Sequence, residues 1–66
     1  MRERLKEERK KKGLTQQAMA EKLGISLVYY QKIESGERMG AVELWDVMED
    51  ITGVHQRILR RTSPNR

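Results

Sequence analysis

The stretch GLTQQAMAEKLGISLVYYQKIESGERM, residues 13–39, contains two short segments that are each bounded by helix-ending signals. Thr15 and Ser26 are residue types that cap helix N-termini, and each is flanked by the hydrophobic pair of a staple. Gly24 and Gly36 stand where the two helices should end. The run LVYY in the second segment favours a strand by composition, but the cap before it and the glycine after it predict a helix.

The spacing of the remaining glycines predicts three further helices. Residues 2–12 are rich in helix formers and end at Gly13, and residues 41–52 end at Gly53. A short fifth helix is expected over residues 55–61. The sequence therefore predicts an all-α fold, a compact bundle of five short helices in which the second and third form a helix-turn-helix.

Length and composition exclude several classes of protein. A chain of 66 residues supports one small core, so we expect a single domain over residues 1–61 and a disordered tail over residues 62–66. The chain has no cysteine, which excludes a disulfide framework and a thiolate metal site. No apolar run approaches the roughly 20 residues of a membrane span, and no signal peptide is recognisable. We expect a soluble cytoplasmic protein that has no contact with a membrane.

Charge is distributed unevenly along the chain. Fourteen Lys and Arg against ten Asp and Glu give a net charge of +4. Residues 1–12 hold seven of the basic side chains, whereas residues 41–52 hold four acidic side chains and no basic one. A protein with one surface that faces phosphates and a back that faces solvent would show this separation, but taken alone the charge pattern favours two solvated helix faces.

No group of residues predicts catalysis, a metal site or a small-molecule cofactor. His55 is the only histidine and has no cysteine near it. Asp46, Glu49 and Asp50 share one side of the fourth predicted helix, and paired carboxylates need a cleft to bind metal or to transfer protons. We interpret them as a solvated acidic face and expect no enzyme activity.

The third predicted helix has two different sides. At about 100° per residue, Tyr30 and Ile33 lie together, and we expect them to face the core. The opposite side carries Leu27, Val28, Gln31, Lys32 and Ser35. Leu27 and Val28 should therefore point outward although both are apolar.

The same stretch resembles the helix-turn-helix of the lambda-repressor/Cro-like family of bacterial and phage regulators, also called the xenobiotic-response-element family. Ala20 is the small residue needed where the helices cross, and Gly24 takes the positive φ of the turn. The apolar supports are Met19, Leu23, Ile25 and Ile33. The flanking runs LKEERKKKGLTQ and IESGERM extend the resemblance to about residues 3–60.

Three positions depart from the family pattern. Tyr30 stands where the family more often has Ile or Val, and Asp46 stands where an apolar residue is common. The tripeptide MGA at residues 39–41 replaces the usual Asn-Pro-Ser, which weakens the N-cap of the fourth helix.

The resemblance also implies site residues. In the family, the positions of Leu27, Val28 and Lys32 commonly read bases, and we add Gln31 as a second donor. Leu27 and Val28 would pack on thymine methyl groups, while Lys32 would donate to guanine. The expected phosphate contacts are Gln16, Gln17, Ser26, Tyr29, Ser35 and Arg38. A partly buried ion pair is implied between Arg9 and Glu34.

The fourth helix carries a wider apolar arc than a small core requires. We expect a dimer interface formed by Leu44, Trp45, Val47, Ile51, Ile58 and Leu59; a core helix that wraps deeply is the alternative. The sequence thus predicts a nucleoid-associated transcriptional repressor that binds a palindromic operator in double-stranded DNA as a homodimer. A protein-interaction module or an antitoxin that docks a partner through Leu27 and Val28 is the alternative, but the basic run RKKK favours DNA.

Overall fold

The computed structural model describes residues 1–62 and contains five helices over that range. They are α1 (Glu3–Lys11), α2 (Gln16–Leu23), α3 (Leu27–Ser35), α4 (Val42–Thr52) and α5 (Gln56–Leu59). Residues 1–62 form no strand, and the predicted all-α class is confirmed. The disordered tail expected over residues 62–66 lies outside the described residues except for Thr62, and the domain boundary at residue 61 stays a prediction.

The helix-turn-helix forms because local signals start and stop α2 and α3. The Thr15 hydroxyl oxygen accepts a hydrogen bond from the Ala18 N–H at 3.0 Å, and the Ser26 hydroxyl oxygen accepts one from the Tyr29 N–H at 3.1 Å. Each bond satisfies an N–H that the first turn of a helix leaves unpaired. Gly24 makes the turn between the helices with a φ of +72°.

Every helix contributes to one core. Its fully buried apolar side chains are Leu5, Met19, Ala20, Tyr30, Ile33, Trp45, Met48 and Leu59. No helix within residues 1–62 combines the length and apolar character that crossing a membrane requires.

Two residues of the expected dimer interface belong to this core instead. Trp45 is 1% exposed and Leu59 is 0% exposed, so the prediction that they form a surface is wrong. The chain has no phenylalanine and only one tryptophan, and it uses that large side chain to fill its interior. Leu44, Ile51 and Ile58 are half-buried, and Val47 is exposed.

The start of α4 is held by tertiary contacts instead of a capping side chain. Ala41 occupies the N-cap and forms no side-chain cap, in keeping with the weak cap expected at residues 39–41. The Trp45 indole N–H donates to the Met39 carbonyl oxygen at 2.8 Å. Gly40 has a φ of +81°, and a Cβ there would lie 3.0 Å from Cδ1 of Ile33. A side chain at residue 40 would therefore require the buried Ile33 side chain to shift.

Gly40 and Gly53 form a matched pair for testing this close approach. Gly53 has a similar φ of +75°, but a Cβ there would meet no atom within 4 Å. We expect Gly53→Ala to lower the free energy of unfolding by about 1 kcal/mol through backbone strain alone. Gly40→Ala should cost about 1 kcal/mol more, because buried Ile33 must also shift. Urea denaturation measures both, and equal losses would show that Ile33 yields without cost.

Candidate nucleic-acid interface

The outward side of α3 combines apolar and polar groups. Val28 is 60% exposed, Gln31 is exposed, and Leu27 and Lys32 are partly exposed. Leu27 neighbours Gln31 and Val28 neighbours Lys32 across one helical turn, so the four predicted base-reading residues share one surface. Tyr30, on the other side of the helix, is fully buried.

The predicted phosphate contacts differ in whether their polar groups already form hydrogen bonds within the protein. The side chain of Arg38 is exposed and forms no hydrogen bond or salt bridge within residues 1–62. The Gln17 amide is exposed and donates to a Glu21 carboxylate oxygen at 3.1 Å. Ser35 donates its hydroxyl hydrogen to the Lys32 carbonyl oxygen at 3.0 Å, so that hydrogen is not free for a phosphate.

Two further predicted contacts, Ser26 and Tyr29, lie at the N-terminal end of α3. Ser26 uses its oxygen as a helix cap and keeps its hydroxyl hydrogen, and Tyr29 is half-buried beside it. The Ser26 hydroxyl can therefore donate to a phosphate while the cap is intact.

Beneath this surface, the Glu34 carboxylate is surrounded by donors. Arg9 donates through Nε to Oε2 at 2.8 Å and through Nη2 to Oε1 at 3.2 Å. Tyr30 donates its hydroxyl to Oε2 at 2.6 Å, and Gln16 donates Nε2 to Oε1 at 2.8 Å. The structure thus contains the implied Arg9–Glu34 ion pair and joins α1, α2 and α3 at one carboxylate.

These contacts control the protonation of the buried groups. Burial by itself would raise the pKa of Glu34, but the hydrogen bonds from Arg9, Tyr30 and Gln16 outweigh it and hold that pKa below the ordinary value of 4.5. Burial, and then the hydrogen bond to Glu34, raises the pKa of the Tyr30 phenol. Glu34 is therefore a carboxylate and Tyr30 a neutral donor at neutral pH.

A comparison with known protein families identifies this arrangement. A family model described as helix-turn-helix matches residues 5–59. The chain belongs to the lambda-repressor/Cro-like helix-turn-helix family. This is a family of DNA-binding regulators that are generally not enzymes, and the fold of the chain agrees with it. No curated protein and no solved structure matches the chain.

One buried side chain that fixes the fold of this helix-turn-helix protein was not predicted from the sequence. Arg2, which precedes the matched range, is almost fully buried. Its guanidinium donates to the carbonyl oxygens of Ile33, Arg38 and Arg60, and it lies 5.3 Å from the centre of the Trp45 ring. It therefore ties the loop that carries Arg38 to the ends of α3 and α5. The sequence signal was only a basic residue in a basic segment.

Fewer basic side chains of the N-terminal segment can therefore contact phosphates than its composition indicates. Arg2 and Arg9 are buried, and Arg4 and Lys11 contact the Glu8 carboxylate at 2.8 and 3.4 Å. On the acidic side, the Gln56 amide donates to Asp46 at 2.7 Å and to Glu49 at 3.1 Å. Residues 1–62 contain neither a pocket nor a group of three side chains able to hold a metal ion.

Replacing Glu34 by glutamine tests the buried network in this helix-turn-helix. Glu34→Gln keeps the shape but leaves the Arg9 charge unpaired, so we expect a loss of about 3 kcal/mol in the free energy of unfolding at pH 7. The unfolded carboxyl, with a pKa near 4.5, takes up its proton first as pH falls. The contribution of the network should therefore begin to fall below about pH 4.5 and be lost as the pH passes the lower pKa of the folded carboxyl, in the wild type only.

Urea denaturation between pH 3 and pH 7 measures the difference between the two proteins. Glu8→Gln, which removes a carboxylate paired only with side chains of its own helix, is the control. Parallel stability curves for wild type and Glu34→Gln would contradict the assigned role of Glu34.

Proposed function

We propose that the protein is a transcriptional repressor that reads a palindromic operator as a homodimer, with α3 in the major groove. The observation that carries this proposal is the exposed side of α3, where Val28 stands at the surface beside Gln31 and Lys32 while Tyr30 and Ile33 hold the helix to the core. A helix held in this way presents its N-terminal side chains to base edges. We place the protein in the cytoplasm, on the nucleoid.

Phosphate contacts at both ends of α3 would set its position in the groove. Before α3, the start of α2 at Gln16 and the capped start of α3 at Ser26 offer unpaired backbone N–H groups. After α3, the Arg38 backbone N–H is bonded to the Lys32 carbonyl oxygen at 3.1 Å, and its carbonyl oxygen accepts from Arg2. The exposed Arg38 side chain therefore projects from a backbone that is fixed on both sides.

Arg38→Ala should weaken binding to every DNA sequence by a similar factor. The binding constant falls as salt concentration rises, and a lost phosphate contact makes the logarithmic slope of that fall shallower by about one unit. Fluorescence anisotropy with specific and random duplexes at several salt concentrations measures both effects. Arg57→Ala removes an exposed arginine from α5 and serves as the control. A loss confined to one sequence class would show that Arg38 reads bases.

Leu27 and Val28 should recognise the methyl groups of adjacent thymines in the half-site. Replacing those thymines by uracil removes only the methyls, and we expect a loss of about 1 kcal/mol for each well-packed methyl. Leu27→Ala and Val28→Ala should weaken binding and abolish this uracil effect. Val42→Ala, which changes an equally exposed valine on α4, is the control.

The same experiment addresses docking of a partner protein, as in an antitoxin. The exposed Val28 is the observation that favours this second function. Binding that is insensitive both to uracil and to the two alanine variants would contradict methyl recognition and favour the docking function.

The homodimer would use the apolar surface that α4 and α5 leave outside the core. Leu44, Val47 and Ile51 follow one another at helical spacing on α4, and Ile58 lies on α5, which packs against α4. Two copies related by a twofold axis would bury this surface and set two α3 helices about 34 Å apart, one turn of DNA.

Dimerisation predicts that charge placed at Val47 separates the two copies. Val47→Lys should give a monomer in sedimentation equilibrium at concentrations where the wild type is a dimer, because the charge would be buried without a partner. Val28→Lys changes an exposed valine on α3 and should leave the dimer intact. A wild type that stays monomeric at high micromolar concentration, with and without DNA, would contradict the homodimer.

A further inference from the structure

A chain of hydrogen bonds links the buried carboxylate to the exposed side of α3. Glu34 Oε1 accepts from Gln16 Nε2 at 2.8 Å, and Gln16 Oε1 accepts from Gln31 Nε2 at 3.1 Å. Glu34 is 1% exposed, whereas Gln31 is exposed. Two bonds therefore connect a charge in the interior with a side chain that would face DNA.

The direction of both bonds follows from chemistry. An ionised carboxylate only accepts hydrogen bonds, so the Gln16 amide must turn its NH₂ group toward Glu34. The amide oxygen of Gln16 then faces Gln31, and it also only accepts. Gln31 must in turn present its own NH₂ group to Gln16. Reversing either amide would bring two acceptor oxygens, or two donors, to hydrogen-bond distance.

We propose that this chain of hydrogen bonds from Glu34 through Gln16 to Gln31, the relay, makes Gln31 select adenine over guanine. The proposal rests on the proposed DNA-binding function and deepens it. The bond to Gln16 uses one N–H of Gln31 and leaves its carbonyl oxygen and its second N–H for a base. Adenine offers a donor at N6 and an acceptor at N7 in the major groove, which this pair of groups matches. Guanine offers two acceptors, O6 and N7, and one of them would meet the carbonyl oxygen of Gln31.

The relay matters because an unconstrained glutamine adapts to either purine. A free amide can rotate to present its NH₂ group to guanine at little cost. In this protein the rotation would break the bond to Gln16 and bring the two amide oxygens of Gln16 and Gln31 together. Gln16 and Glu34 thus act as positioning residues that penalise the wrong base. From the sequence we expected Gln31 to act as a donor to guanine. The relay instead leaves it one donor and one acceptor, which together match adenine.

The test compares two duplexes that differ at one base pair. Sites selected from random DNA by the wild type and by Gln31→Ala identify the base pair that Gln31 reads. Dissociation constants are then measured for duplexes with adenine or guanine at that position. We expect the wild type to prefer adenine on the order of tenfold, and Gln16→Met, which removes the relay, to lose most of that preference. A lost phosphate contact at Gln16 would instead weaken both duplexes equally and leave the ratio unchanged.

Gln17→Met is the matched control, since the adjacent glutamine contacts Glu21 and takes no part in the relay. Gln17 is also an expected phosphate contact, and losing such a contact weakens both duplexes equally, so the ratio of the two dissociation constants should stay as in the wild type. The relay is also visible without DNA: the side-chain amide resonances of Gln31 should shift in Gln16→Met and stay in place in Gln17→Met.

The possible failures are distinguishable. An unchanged adenine-to-guanine ratio in Gln16→Met, unchanged Gln31 resonances, or a wild type that prefers guanine at this position would each overturn the relay while DNA binding stands. A wild type that selects no site from random DNA would overturn the proposed function, and the base preference with it.

Discussion

A single buried carboxylate, that of Glu34, organises the helix-turn-helix. It receives hydrogen bonds from α1 through Arg9, from α2 through Gln16 and from its own helix through Tyr30. A charge that is 1% exposed is tolerated only when its lone pairs are satisfied in this way. Each donor comes from a particular place on its helix, so the network fixes how the three helices meet. This role is more important than its net contribution to stability. The orientation of α3, and so of its outward side, follows from that arrangement.

A buried cation performs the corresponding role for the C-terminal half. The guanidinium of Arg2 contacts carbonyl oxygens of α3, the following loop and the end of α5. Carbonyl groups at helix ends carry partial negative charge, so they stabilise this cation, which forms no salt bridge within residues 1–62. The Arg2 backbone N–H also donates to the Glu34 carbonyl oxygen at 2.8 Å. The two networks therefore meet at the last turn of α3, and this helix is held from both sides.

The proposed reading of bases by α3 depends on this rigid support. Recognition of bases requires side chains whose positions are fixed before DNA arrives, because ordering them on binding costs free energy. Apolar side chains such as Val28 need no orientation of hydrogen-bonding groups, whereas an amide such as Gln31 does. The protein supplies that orientation from its interior, through a residue of α2. The surface and the core are in this sense parts of one hydrogen-bond network.

Local chemistry was enough to predict five helices, the turn at Gly24 and the caps at Thr15 and Ser26, because these signals act over a few residues. The Arg9–Glu34 pair was expected only through resemblance to a family. Periodicity showed that α4 has a wide apolar arc, but it could not show that Trp45 is covered by the same chain. Only packing brings Arg2 into contact with residues 33, 38 and 60. The same holds for the hydrogen bonds that link Glu34 to Gln31 through Gln16. Tertiary structure selects such partners because a buried polar group bonds to whichever neighbour the folded backbone supplies.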